Sequence, residues 1–394
     1  MNRLQEFKEE FSSREGIHLN NAGRTPLSRT VSGRLMEFVT MNQVWGARSD
    51  PQLFEGLLSA RKALADFLGT EKETIAFAPN VGTAMSEVAF GFPLNPNDTV
   101  VTIDQEYASN FYPWQEACKR SRAQLKVVST GEPGSVEFAS GAEITRRVMD
   151  AIVPDVKIVG VSWVQFQTGA MLDLQAIGEK AHSVGAYLVV DAIQGLGQLP
   201  FSLRDLPVDL VVGGSHKWMC SIVGMAFFAA KKELLDLLTP TAVGCGSFNR
   251  FGSTADPQAA LETSARKFEP GVPSFPHLFA IDSAIQVLNR VGMETIAQEI
   301  FRLSQILRRG IVEVCEGKVE GFRLATPLEQ QNGITSFLLP ADLSEKLVQQ
   351  CKEAGIVIIL RNQFVRVSVH AFCTDAEVDR FLDLLGITLL ENAR

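Results

Sequence analysis

Between about residues 74 and 230 the chain alternates short apolar runs, rich in β-branched residues, with longer amphipathic stretches. This pattern is typical of parallel strands joined by helices that cover the sheet. The predicted strands are 74–78, 99–103, 125–129, 157–164, 186–191, 209–213 and 225–229. The predicted helices are 82–90, 109–120, 144–152 and 174–184. We therefore expect an α/β domain built on a mainly parallel seven-stranded sheet flanked by helices.

The pattern changes in the last third of the chain. Residues 244–276 are rich in Gly, Pro, Ser and Asn without clear periodicity, which predicts a linker. Helical patterns follow at 278–291, 293–314, 341–354 and 375–385, and strand patterns at 333–339, 356–360 and 365–369. We expect a large domain of residues 20–275 and a small α+β domain of 276–394 with the N-terminal segment 1–19. Segments 18–50 and 244–276 are expected to be loops that face the substrate.

Composition narrows the classes of partner. The 394 residues, 46% of them hydrophobic, can bury a large core. The formal net charge of −8 argues against a nucleic-acid surface or an anionic membrane surface. No stretch resembles a signal peptide or a membrane span, so we expect a cytoplasmic protein with a small-molecule substrate. The six cysteines lack the spacing of a disulfide framework or a metal site, and reduced buried thiols are expected.

The densest chemistry follows two neighbouring predicted strands. One strand ends at Asp191, and the next leads into Ser215, His216 and Lys217. Ligands of open α/β sheets bind at such carboxyl ends. A carboxylate ending an apolar strand needs a cation or donors, and a protonated pyridinium nitrogen is one such partner. Lys217 suits imine chemistry, while Ser215 and His216 can donate to a phosphate.

Each of these residues also has a plainer interpretation. Asp191 could cap a following helix, and Lys217 could be a surface residue beside a core tryptophan. Residues 78–84 lead from a strand into a helix. Their backbone N–H groups and the Thr83 hydroxyl could form a second phosphate-binding element, or the segment could be only a capped helix start. The pair Gly195 and Gly197 suggests a nucleotide-binding fold, but the third glycine is missing and Pro200 interrupts the expected helix.

Several segments, in order, resemble the class V aminotransferase family, in the cysteine desulfurase-like branch of the aspartate-aminotransferase fold. They are HLNNAG (18–23), FAPNVGTA (77–84), DQEYASN (104–110), VSWVQFQTG (161–169), VVDAIQ (189–194), GGSHKW (213–218), FEPG (268–271) and VRVS (365–368). The resemblance covers nearly the whole chain. It implies a fold type I enzyme with pyridoxal 5′-phosphate (PLP), an amino-acid substrate and a homodimer.

The resemblance also implies roles for single residues. They are Gly82, Thr83, Ser215 and His216 on the phosphate, Gln167 and Gln194 near the ring 3′-oxygen, Asp191 on the ring nitrogen, Lys217 as the imine lysine, Tyr107 stacked on the ring, and Arg366 on the substrate carboxylate. Arg366 also alternates with two valines, as a residue on the solvent face of a strand would. His18, Asn20 and Asn21 either line the substrate entrance or form only a turn.

Two departures from the family narrow the reaction. No cysteine lies in the loop before Arg366, which disfavours a persulfide-forming desulfurase, because that chemistry needs a thiolate there. Val272 stands where relatives carry a hydroxyl that contacts the partner subunit's phosphate. An aminotransferase is the favoured interpretation. A cysteine or cystine C–S lyase and an amino-acid epimerase are the alternatives, since all three begin with proton removal at Cα by Lys217.

Overall fold

The structure, a computed structural model, describes residues 2–131, 139–249 and 254–392. Its strands in chain order are β1 (Ile17–His18), β2 (Ile75–Ala78), β3 (Thr99–Ile103), β4 (Gln124–Val128), β5 (Val156–Ser162), β6 (Tyr187–Asp191), β7 (Leu210–Gly214), β8 (Ala226–Ala230), β9 (Arg323–Leu324), β10 (Ile334–Leu338), β11 (Ile356–Val357), β12 (Ile359–Arg361) and β13 (Phe364–Ser368). Its α-helices are α1 (Arg3–Glu9), α2 (Arg29–Trp45), α3 (Asp50–Leu68), α4 (Val81–Gly91), α5 (Ala108–Ser121), α6 (Gly141–Ala151), α7 (Leu174–Ser183), α8 (Lys232–Leu237), α9 (Phe275–Val291), α10 (Met293–Cys315), α11 (Ala341–Glu353) and α12 (Asp375–Asn392).

The seven-stranded sheet confirms the predicted fold class. Its strand order is β2-β8-β7-β6-β5-β3-β4, and β8 is the one strand that runs in the opposite direction to the other six. Successive residues of its strands point into separate apolar clusters on the two faces, as Val189 and Val190 of β6 do. Helices cover both faces, which explains why these strands are continuous apolar runs rather than alternating ones.

The last third of the chain forms a second, smaller sheet. Strands β12, β13, β10 and β9 pair antiparallel in that order, and helix α12 packs against α10 and α11. The N-terminal segment joins this part, because Ile17 of β1 pairs with Ile356 of β11. These pairings support the proposed division into residues 20–275 and 276–394 with 1–19, which stays a prediction.

The sequence pattern was wrong about the first 70 residues. Much of the segment 18–50, expected as a loop, is helix α2, and α1 and α3 were also missed. Met36, Val39 and Val44 of α2 are 62–70% exposed, so its apolar residues do not form the single buried stripe that marks a helix in a sequence. The predicted strand 356–360 is two strands, β11 and β12, in different sheets.

Smaller differences concern the linker and the cysteines. Residues 250–253 of the predicted linker 244–276 lie outside the described residues, and the described remainder contains the short 3-10 helix Ala265–Phe268 and the start of α9. Five cysteines are buried as expected, but Cys245 is exposed. Among the described residues, no helix is long and apolar enough to cross a membrane.

Candidate active site

A cavity of about 370 Å³ lies at the carboxyl ends of β6 and β7, the edge where ligands of such sheets bind. It brings together segments that are far apart in sequence. Its lining includes Ala22, Gly23, Asn80, Gly82, Tyr107, Ser109, Phe166, Asp191, Gln194, His216, Lys217, Gly224 and Arg361. Six of the eleven residues proposed from the sequence line the cavity: Gly82, Tyr107, Asp191, Gln194, His216 and Lys217. Asn20 is not in the lining, but its Oδ1 accepts a long bond from Arg366 (3.4 Å).

Lys217 lies in the turn that follows β7, and its Nζ is 5.8 Å from the centre of the Tyr107 ring. Burial lowers the pKa of Lys217 to about 8, the charge of Asp191 opposes that shift, and the charges of Arg366 and Arg361 add to it. The lysine is thus enclosed among charged groups and is not a solvated surface residue. A neutral amine is accessible to it near physiological pH.

Asp191 ends β6 and is 2% exposed. Its Oδ1 accepts a hydrogen bond from the N–H of Ile193 (2.9 Å). Burial raises the pKa of Asp191, while this bond and the charge of Lys217 oppose the rise. The carboxylate needs a cation to stay ionised in such a place, and the cavity contains one in Lys217.

The candidate phosphate residues are only partly assembled. Gly82 and His216 line the cavity, and the buried Nδ1 of His216 has no hydrogen-bond partner. Burial lowers the pKa of His216 to about 4, so its ring is neutral. Thr83 instead donates from N and Oγ1 to Asn80 Oδ1 (2.8 and 3.2 Å), and Ser215 Oγ donates to the carbonyl of Ile222 (3.2 Å). Neither hydroxyl residue is part of the lining.

The two glutamines expected beside the ring differ in position. Gln194 lines the cavity and is fixed by two bonds, from its Nε2 to the Ala22 carbonyl (3.0 Å) and from Trp218 Nε1 to its Oε1 (2.8 Å). Gln167 is not in the lining, because its Oε1 accepts from Asn362 Nδ2 (2.9 Å). Its neighbour Phe166 faces the cavity instead and makes an edge-to-face contact with Tyr107, with the ring centres 5.2 Å apart.

Arg366 is 1% exposed, which excludes the alternative of a solvent-facing strand residue. Its Nη1 donates to the Phe166 carbonyl (2.6 Å) and its Nη2 to Asn20 Oδ1 (3.4 Å). Its Nε is buried without a partner. Burial lowers the pKa of Arg366 to about 10, so the side chain remains a cation. Arg366 is not in the lining, but its charge acts on Lys217 inside the cavity.

Several residues at the site were not proposed individually from the sequence, among them Arg361, Ser109 and Glu106. Arg361 lines the cavity, with its guanidinium 4.7 Å from the ring centre of Phe166 and 5.4 Å from that of Tyr107. Ser109 is the second residue of α5 and lines the cavity near Gly82. Glu106 is buried beside Tyr107. In the sequence, these three residues could have been found only by their proximity to proposed site residues. Arg361 is five residues from Arg366, and Glu106 and Ser109 lie on either side of Tyr107.

Glu106 connects the Tyr107 segment to the central sheet. Its carboxylate accepts from the N–H and the hydroxyl of Ser162 (2.6 and 2.5 Å), and Ser162 pairs with Asp191 across β5 and β6. Burial raises the pKa of Glu106 to about 7, the two Ser162 bonds oppose that shift, and the charge of Asp191 adds to it. The site therefore holds a second buried carboxyl near Asp191.

None of the six cysteines belongs to the described lining of this cavity. Cys351 and Cys373, the nearest in sequence to Arg366, are buried, and burial raises the pKa of each thiol to about 12. Such thiols stay protonated at neutral pH and are poor nucleophiles.

The chain is similar to known proteins over nearly its whole length. A model of the aminotransferase class-V family matches residues 17–381. A probable cysteine desulfurase of Methanothermobacter thermautotrophicus is 25% identical over 401 residues, which cover 96% of this chain and 95% of the relative. An isopenicillin N epimerase of Streptomyces clavuligerus is 26% identical over 393 residues, 94% of each chain.

Solved structures point to the same fold. Two structures of C-DES, a cystine C–S lyase, match with TM-scores of 0.86 and 0.85 at 20% identity. They cover 96% and 95% of this chain and 98% of each C-DES chain. In one of them glycine is covalently linked to the PLP cofactor. At 20% identity these matches show that the chain shares the fold of C-DES.

Proposed function

The chain belongs to the aminotransferase class-V family, a PLP-dependent family, and we propose that it acts at Cα of an amino-acid substrate. When bound, PLP draws electrons from the amino acid's Cα and so weakens the bonds to that atom. The observation that carries the proposal is the meeting of Lys217, Asp191 and His216 in one cavity, with the cation of Arg366 close enough to influence the amine.

The residues present fit this cofactor. His216 Nδ1 is a buried polar atom without a partner, and the N–H groups of Val81 and Gly82 begin a helix, where backbone donors lack acceptors within the helix. These groups would hold the phosphate. Asp191 would hold the ring nitrogen, with Tyr107 against the ring face and Lys217 as the attachment point.

Lys217 is proposed as the base that removes the Cα proton. A general base works best when its pKa lies near the working pH. With a pKa of about 8, a useful fraction of Nζ is neutral at neutral pH, which an ordinary lysine would not offer. The same cations that lower this pKa would attract the substrate anion.

Arg366 is proposed to bind the substrate α-carboxylate. Its buried Nε–H has no acceptor, and an unsatisfied buried donor is costly. A carboxylate would satisfy that donor and match the planar guanidinium with two parallel hydrogen bonds. Asn20 accepts only a long hydrogen bond from Arg366 Nη2, so Nη2 could exchange this partner for the substrate carboxylate.

Among reactions that start this way, we favour transamination. It needs one group that takes a proton from Cα and releases it again, and Lys217 is the one lysine in the described lining. Epimerisation requires a second base on the opposite face, which is a stronger demand on the site.

The decisive test is attachment of the cofactor. The purified protein is loaded with PLP, reduced with borohydride and digested, and the modified peptide is located by mass spectrometry. We expect the label on Lys217 and its loss in Lys217→Ala but not in Lys231→Ala. A label on another lysine, or none, would refute the proposal. Transfer of the amino group to an oxo acid, measured over a panel of amino acids, then tests transamination.

A C–S lyase is the second candidate, and two observations favour it. Arg361 adds a second guanidinium that could receive a distal carboxylate such as that of cystine, and C-DES is itself a cystine C–S lyase. Release of pyruvate and ammonia from cystine without any oxo acid would establish this activity and displace transamination.

Persulfide-forming desulfuration is proposed to be absent, although relatives are named cysteine desulfurases. The support is the lack of a cysteine in the described cavity lining. Cys245, the exposed thiol, is the one to test. If Cys245→Ala abolished sulfide release from cysteine while sparing PLP attachment, this part of the proposal would be wrong.

A further inference from the structure

Three side chains at the end of β13 connect three parts of the site. Alternation along β13 places Arg366 and Ser368 on the same side, and His370 lies two residues beyond the end of the strand. Ser368 Oγ accepts from the N–H of Ala22 (2.9 Å), and His370 Nε2 contacts the carbonyl of Trp218 (3.0 Å). Trp218 directly follows Lys217. The strand that carries the carboxylate-binding candidate thus also touches the lysine turn.

The hydrogen bonds of His370 determine where its proton lies. The N–H of Ala371 donates to Nδ1 (2.8 Å), so Nδ1 is an acceptor and Nε2 carries the proton. Nε2–H therefore donates to Trp218. The ring is fully buried and stacked between Phe372 and Trp218, with ring centres 4.8 and 5.8 Å away.

Several groups hold the turn after Lys217, and the carbonyls of Lys217 and Trp218 each have their own partners. Its backbone reverses at Cys220, which has the left-handed φ of 56°, an unfavourable conformation for a residue with a side chain. The Lys217 carbonyl accepts from Thr25 Oγ1 (2.6 Å) and from the N–H of Cys220 (2.9 Å). The Trp218 carbonyl accepts from His370 Nε2 (3.0 Å) and, at a longer distance, from Cys220 Sγ (3.6 Å), so His370 is its closer donor. Without it, a buried carbonyl in a strained turn would lose its main partner.

We infer that His370 is a positioning residue for Lys217. By donating to the Trp218 carbonyl it sets the turn that carries the amine, and by its place beyond β13 it ties that turn to Arg366. The effect of His370 on the reaction rests on the proposed function of Lys217 and Arg366. The hydrogen bond from His370 to the Trp218 carbonyl does not depend on that function.

Two variants separate the hydrogen bond from the stacking. His370→Phe keeps an aromatic ring between Phe372 and Trp218 but removes the donor. His370→Gln removes the ring but retains an amide N–H of similar reach. A positioning role predicts that His370→Phe is impaired and that His370→Gln restores most of the wild-type behaviour. His370→Met, which also lacks a donor, replaces His370→Phe if that variant aggregates.

The first readout is the titration of Lys217 in the full-length, PLP-free chain. It is measured from the pH dependence of Lys217 acetylation, with Lys231 as internal reference. Wild type should titrate near 8, and the donor-less variant should move by about one pH unit toward 10.5 as the amine gains water. The second is steady-state kinetics with PLP, where kcat should fall about tenfold or more and KM should change little.

An unchanged Lys217 titration in the donor-less variant would overturn the inference, as would equal changes in the Phe and Gln variants. Failure of the proposed function is a separate result. If wild type attaches no PLP at Lys217, that function is wrong, but the acetylation titration still decides whether His370 positions the lysine.

Discussion

At the scale of single residues, burial changes what charged groups can do. In the sequence Arg366 has the pattern of any residue in an alternating strand, yet it is buried with one donor unpaired. Burial and the neighbouring charges lower the pKa of Lys217 to about 8. Both residues were predicted from the sequence. Their protonation and free hydrogen-bonding capacity became visible only with their neighbours in place.

The carboxylate role of Arg366 leads to a test by Arg366→Lys. Lysine keeps the charge but cannot form two parallel bonds, so KM for an amino-acid substrate should rise about 10- to 100-fold. Steady-state kinetics measures this, with Arg380→Lys on the exposed side of α12 as control. An equal effect on an amine that lacks the carboxylate would contradict the role.

Glu106 leads to a prediction about pH. Its folded pKa of about 7 lies above its ordinary value of 4.5, so the folded protein binds this proton more tightly than the unfolded chain does. Its contribution to stability is therefore complete below about pH 4.5 and is lost as the pH rises to 7, by roughly 3 kcal/mol.

Glu106→Gln cannot ionise, so it should be more stable than wild type at pH 8 and similar at pH 5. Urea unfolding at both pH values measures the difference, with the exposed Glu233→Gln as control. Equal stabilities of variant and wild type at pH 8 would argue that the carboxyl is not held neutral.

At the scale of elements, the glycines that resembled a nucleotide-binding loop have a packing role. A Cβ at Gly195 would overlap with the Trp163 ring, and a Cβ at Gly197 would overlap with the backbone of Trp218 and Met219. Gly197 also has φ of +95°. Gly195 lets the segment after β6 pack against the Trp163 ring, and Gly197 lets it approach the backbone of the lysine turn closely. The sequence argued against a nucleotide-binding loop, but it did not show this packing role.

Gly197→Ala should accordingly disturb the Lys217 turn. We expect a loss of more than about 2 kcal/mol of stability and weaker PLP retention, because backbone strain adds to the overlap. Gly185→Ala is the matched control, since Gly185 has φ of +77° but nothing within 4 Å of the new Cβ. Thermal unfolding and the PLP content of the two purified variants make the comparison. Equal effects of the two changes would show that only the backbone conformation matters.

At the scale of the whole molecule, an apolar surface on α2 and α3 remains uncovered in the single chain. Met36, Val39, Val44 and Leu58 are 62–70% exposed. Clustered exposed apolar residues mark association surfaces. We propose that a second copy of the chain covers this face, in line with the homodimer that the family resemblance implies.

Charged substitutions on this face test the dimer. Met36→Glu with Val39→Glu should shift the protein from dimer toward monomer, because carboxylates are costly to desolvate at an interface. Light scattering after size-exclusion chromatography measures the mass, with Leu390→Glu on α12 as control, whose leucine is 69% exposed. A monomeric wild type at micromolar concentration would contradict the proposal.

The sequence by itself determined the central sheet and the core of the site. Strand and helix periodicities are local properties, and parallel strands bring their carboxyl ends to one edge, so Asp191 and Lys217 were predicted to meet there and do. The family motifs added PLP and the fold type for the same reason, since each motif is a short continuous segment.

Only the tertiary structure decided which neighbouring side chain faces the cavity. Phe166 rather than Gln167 lines it, Thr83 and Ser215 bond elsewhere, and Arg361 enters it. These outcomes depend on contacts between segments more than a hundred residues apart or on the competition of local hydrogen bonds. Neither leaves a periodic mark in the sequence, so the positions of the strands were predictable and the final contents of the cavity were not.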